Sequence, residues 1–93
     1  MGFETGRKSS IGVTAVALTA TSTPCEAVTV KAPATNSVNV YVAARSDVTA
    51  DSADATDGYQ LAPGDLHIFN IDNPNKLYAI STAASQKLFW KTE

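Results

Sequence analysis

Val38, Val40 and Val42 stand at alternate positions, and the same two-residue rhythm returns at Val28 and Val30, Leu66 and Ile68, Leu77 and Ala79, and Leu88 and Trp90. Successive side chains of a β-strand leave on opposite faces, so each set lines one face of a short strand and turns it toward a core. The intervals between them carry turn residues such as Pro33 and Asn36, Asp57-Gly58, Pro63-Gly64 and Asn73-Pro74. Strands are therefore expected over residues 12–20, 27–31, 38–43, 59–61, 66–71, 77–81 and 87–91. The segments 27–31 and 38–43 are expected to pair as a hairpin through the turn at 32–37.

This pattern implies an all-β chain: an antiparallel β-sandwich, jelly-roll or immunoglobulin-like, of about seven or eight strands. With 93 residues the chain is one domain and buries roughly two thirds of the surface its unfolded form exposes. Two sheets packed face to face suit it, because only alternate residues need point inward. Residues 1–10 carry no periodicity and read, with Ile11, as an extended N-terminal arm (1–11) ahead of the sandwich domain (12–93). The arm docks on its own domain or on a neighbouring subunit.

Composition excludes several classes. Nine acidic and seven basic residues leave a formal charge of −2, and the cations are scattered along the sequence rather than gathered in a run, which argues against nucleic-acid binding. Cys25 is the sole cysteine, so no internal disulfide forms and synthesis in the host cytoplasm is expected. The run 11–20 follows Arg7 and Lys8 but is broken by Thr14 and Thr19, and no small-residue cleavage site follows, so it does not read as a secretory signal. Gly6 stands where a myristoylation motif requires Ser or Thr, and no run approaches the roughly 20 apolar residues of a membrane span; no membrane partner is expected.

Signatures of chemistry are weak. Asp47, Asp51, Asp54 and Asp57 cluster in the loop 44–58, but without the alternating oxygens and terminal Glu of a calcium loop they read as a solvated segment, and no metal is expected. His67 lies in a strand opposite Leu66 and Ile68 and lacks co-ligands for zinc. A Cys25 and His67 nucleophile pair has no third group, and Cys25 reads as a small packing residue. The isolated glycines form no phosphate-cradling loop, so no cofactor is expected. Tyr41, Tyr59, Phe69, Tyr78, Phe89 and Trp90 supply aromatic surface that could serve a glycan. Phe89 and Trp90 are adjacent and point oppositely, so one of them leaves the core and marks a contact surface.

The stretch Asn39-Val40-Tyr41-Val42, then Asp57-Gly58-Tyr59-Gln60-Leu61-Ala62-Pro63-Gly64-Asp65, then Lys76-Leu77-Tyr78-Ala79-Ile80-Ser81 resembles small β-sandwich structural proteins of tailed bacteriophages. The resemblance covers about residues 27–90 and rests on the valine strand, a D-G-x-x-L-x-P-G turn and a K-L-Y-x-I strand; it departs where Ala43 and Ala44 replace an expected Gly. It implies a non-enzymatic virion component, a cement or decoration protein on the capsid surface that bridges neighbouring copies of the major capsid protein, itself a dimer or trimer. The alternative it implies is a small tail-fibre, collar or adhesion module that binds protein or glycan. On the cement reading, Phe3, Arg7, Lys8, Tyr41, Arg45, Phe89 and Trp90 are the expected partner contacts.

Overall fold

The alternating segments become eight strands: β1 (Thr5–Ile11), β2 (Val16–Ala17), β3 (Val28–Lys31), β4 (Val40–Ala43), β5 (Tyr59–Leu61), β6 (Leu66–Phe69), β7 (Tyr78–Ser81) and β8 (Gln86–Thr92). These come from a computed structural model that describes residues 4–48 and 58–93. They form two antiparallel sheets of four strands, ordered β1-β8-β3-β6 and β2-β7-β4-β5.

Pairing follows one rule. β1 pairs with β8, β2 with β7, β3 with β6 and β4 with β5, so the first half of the chain runs against the second as in one long hairpin. The further pairings of β3 with β8 and of β4 with β7 roll that hairpin into two layers. Every connection except the one between β4 and β5 consequently crosses from one sheet to the other.

A single apolar core fills the space between the layers. The first sheet contributes Ile11, Val28, Val30 and Leu88, the second Val40, Val42, Leu61 and Ala79, and the connections add Leu18, Ala32 and Leu77. Trp90 packs against this core from the strand position facing Gly6, and a Cβ at Gly6 would collide with the indole ring. Glycine is thus required there so that β1 can lie against the aromatic face.

Three expectations change. The first strand is not in 12–20: β1 lies in what reads as the arm, with its backbone on β8, and only Val16–Ala17 of the later segment is strand. The docking is fixed by Thr92, whose Oγ1 accepts from Glu4 N at 2.9 Å, and by a bulge in which Ser10 takes φ 61° between the Lys8 and Ile11 registers. β3 and β4 do not form a hairpin but lie in different sheets. β6 is turned over, since Leu66 and Ile68 face solvent while His67 and Phe69 are half-buried.

The β3–β4 crossing shows why no hairpin forms. Asn36 Nδ2 donates to the Lys87 carbonyl at 2.8 Å while its Oδ1 accepts from Lys87 N at 2.8 Å, so a side-chain amide takes the place of a strand partner. Gln86 does the converse: its Oε1 accepts from Ser37 N at 2.9 Å and Val38 N at 3.2 Å, and its Nε2 donates to Ser37 Oγ and the Ala84 carbonyl. Both amides are buried, so their loss strands backbone groups without water. Asn36→Ala and Gln86→Ala are each expected to destabilise the fold by about 2–3 kcal/mol in urea unfolding, whereas Thr35→Ala on the adjacent exposed position stays within about 0.5 kcal/mol.

Candidate functional site

The outer faces of the two sheets differ. On the second sheet Tyr41 opposes Ile80, which is only 5% exposed, and Gly58 lies against both Tyr41 and the buried Val48, so residues that follow β4 cover part of this face. Among the described residues the first sheet has no such cover. Its outward positions include Leu66, Ile68 and Phe89, which are 56%, 50% and 41% exposed.

The register places these side chains in rows. Arg7 opposes Phe89, Phe89 opposes Lys31 and Lys31 opposes Leu66; the next row runs Thr5, Lys91, Thr29 and Ile68. Lys87 shares the outward parity of Phe89 and Lys91 on β8. Four of the seven cations of the chain, Arg7, Lys31, Lys87 and Lys91, thus stand exposed on one face beside three apolar side chains. Glu93 borders the same face, its Oε2 accepting from Thr29 Oγ1 at 3.1 Å. An open groove of about 670 Å³ runs over the face, lined by Thr5, Arg7, Thr29, Lys31, Leu66 and Phe89 among others.

The expected contact residues are dispersed. Arg7 and Phe89 meet on this face as cross-strand neighbours. Lys8 has the opposite parity on β1 and is half-buried, Trp90 points into the core side, Tyr41 lies on the far sheet, and Arg45 follows β4 with its Nε 3.4 Å from Asp47 Oδ1. Phe3, Asp51, Asp54 and Asp57 lie outside the described residues. Leu66, Ile68, Lys31, Lys87 and Lys91 complete the face but are absent from the sequence expectation, because Leu66 and Ile68 read as core, and Arg7 and Lys31 are far in the chain from Lys87 and Lys91. The cations that look scattered along the sequence are gathered in space.

The remaining chemistry-bearing side chains are differently placed. His67 stacks on Tyr59 with ring centroids 4.2 Å apart and meets Phe69 edge-on at 4.8 Å, so the three rings close the gap between edge strands β5 and β6. Cys25 Sγ donates to the Ile71 carbonyl at 3.5 Å, and no hydrogen bond joins it to His67. Burial, and then the carboxylate of Asp72, push the Cys25 thiol above its ordinary pKa. Lys76, with its Nζ 2.8 Å from Asp72 Oδ1, holds that carboxyl below its usual value, so Asp72 remains charged. Among the described residues no group of three or more His, Cys, Asp and Glu side chains could hold a metal.

Two outcomes check this geometry. Leu66→Thr, Ile68→Thr and Phe89→Thr are each expected to change stability by less than about 1 kcal/mol in urea unfolding, where a core position would cost 2–5 kcal/mol on the usual order. Cys25 is expected to react with iodoacetamide at pH 8 more slowly than free cysteine, because a raised pKa leaves less thiolate at that pH. Comparison with protein-family models, curated proteins and solved structures returns no match.

Proposed function

We propose that this chain is a non-enzymatic docking module, a virion structural protein of the cement type that sits on the outside of a phage capsid and bridges neighbouring major capsid subunits. The observation that carries the reading is the open outer face of the first sheet, where Leu66, Ile68 and Phe89 are exposed among Arg7, Lys31, Lys87 and Lys91. Exposed apolar side chains interleaved with cations on one sheet face are the kind of surface that meets a partner.

The rolled-hairpin pairing supports the same reading. Eight strands nested as first with eighth through fourth with fifth favour the jelly-roll form of the sandwich, an architecture used in viral capsid and lectin domains. That is an argument from fold, and it adds to the argument from the face rather than replacing it. The bacteriophage resemblance of residues 27–90 points the same way. A protein that binds only the mature shell stabilises it in proportion to its affinity for that state, with no chemistry required.

One observation favours a second reading, a tail-fibre, collar or adhesion module that binds glycan. Tyr59 is 52% exposed and is held rigid by its stack on His67, as an aromatic platform for a sugar ring would be. Mixing the purified protein with empty expanded capsids and with tails from the same source separates the two. Co-sedimentation with capsids and a rise of several degrees in their melting temperature is the expected result; sedimentation with tails alone, joined to a positive glycan-array signal lost in Tyr59→Ala, would favour the second reading.

A further inference from the structure

We infer that the outer face of the β1-β8-β3-β6 sheet docks on an acidic protein surface, one that presents carboxylates beside apolar side chains. The inference rests on the reading of the chain as a docking module and specifies the chemistry of its partner; it does not depend on that partner being a capsid.

Charge decides among the occupants. The chain as a whole is formally −2, yet this face carries Arg7, Lys31, Lys87 and Lys91 with Glu93 at its border. A second copy laid face to face would set four cations against four, and like charges brought together at an interface are costly. An acidic partner sets carboxylates against Arg7, Lys31 and Lys87 while Leu66 and Ile68 on edge strand β6, and Phe89 across Lys31 on β8, desolvate beside them.

The apolar residues decide between protein and nucleic acid. Proteins that bind single strands lay successive bases on aromatic rings along a basic groove. Here the exposed apolar side chains are two aliphatics and a single phenyl ring, and the more exposed pair, Leu66 and Ile68, is aliphatic. A membrane surface is disfavoured too. The apolar side chains lie on a sheet face, in cross-strand rows with the cations, rather than on a helix able to bury one face in the acyl boundary.

The test is a titration of the isotopically labelled full chain, followed by amide shifts, with a random copolymer of glutamate and tyrosine as the acidic and apolar probe. Poly-glutamate, an oligothymidine of twenty residues and anionic phospholipid vesicles are run in parallel. The expected result is copolymer binding that perturbs Arg7, Lys31, Leu66, Ile68, Lys87 and Phe89. It should exceed the binding of poly-glutamate and weaken steeply as salt rises from low to about 0.5 M. Lys31→Glu with Lys87→Glu should weaken it about tenfold or more, as should Leu66→Thr with Ile68→Thr, while both variants keep the wild-type spectrum elsewhere.

Perturbations on the second sheet, or none, would overturn the inference, as would tighter binding to oligothymidine or vesicles than to the copolymer. A salt-independent dimer formed through this face would overturn it equally. Because the probe is not a capsid, the outcomes separate. Copolymer binding with no capsid binding removes the cement reading alone, and capsid binding without copolymer binding removes this inference alone.

Discussion

A chain that changes sheet at nearly every connection has to find partners for the peptide groups it carries across, because a buried N–H or carbonyl without a hydrogen bond costs as much as a lost bond or more. This protein meets that demand with side chains. Asn36 and Gln86 clasp the β3–β4 crossing against the start of β8, and Asn73 Oδ1 receives Thr23 N at 3.1 Å and Asn75 N at 3.2 Å where the chain turns from β6 to β7. Thr92 ties Glu4 to the end of the same β8. The buried polar residues are therefore the joints of the layers, and the apolar core of mainly Val, Leu and Ile lies between walls held by these bonds.

The turns and most strand positions are legible in the sequence because they depend on local chemistry. Pro63-Gly64 forms the expected tight turn, with Gly64 at φ 93° and Asp65 N donating to the Ala62 carbonyl at 2.8 Å. Val28, Val30, Val40 and Val42 are buried as their alternation requires. The failures come where local chemistry is silent. Alternation sorts residues into two faces but does not say which one is inside, and on edge strand β6 the rings of His67 and Phe69 meet Tyr59 across the gap between sheets while Leu66 and Ile68 turn out. Polar residues 4–10 gave no apolar rhythm because an edge strand needs few core contacts: β1 gives the core cluster only Ile11 and is otherwise held by its backbone on β8.

The candidate face was illegible for a related reason. Arg7, Lys31 and the β8 pair Lys87 and Lys91 are separated by long stretches of chain, and only the pairing of β8 with both β1 and β3 sets them side by side. Half of the visible hint was sound, since Phe89 and Trp90 do part to opposite faces. The residue that leaves the core is Phe89, and the indole that looked equally available is taken up by packing over Gly6.

The place of β8 between β1 and β3 also governs the order in which the molecule can be made. No strand of the first sheet other than β3 and β6 has a neighbour to bond until the chain through Thr92 has left the ribosome, and Glu4 waits for a partner 88 residues downstream. The second sheet, whose members β2, β4, β5 and β7 all end by Ser81, is complete earlier, with Val40, Val42, Leu61 and Ala79 uncovered on its inner side. Closure of so long a loop is slow, and a half-built sandwich exposes its apolar wall for as long as it lasts. During synthesis the emerging chain is therefore a natural client for a chaperone that shields that wall, and nascent chains stalled before β8 are the species most prone to aggregate.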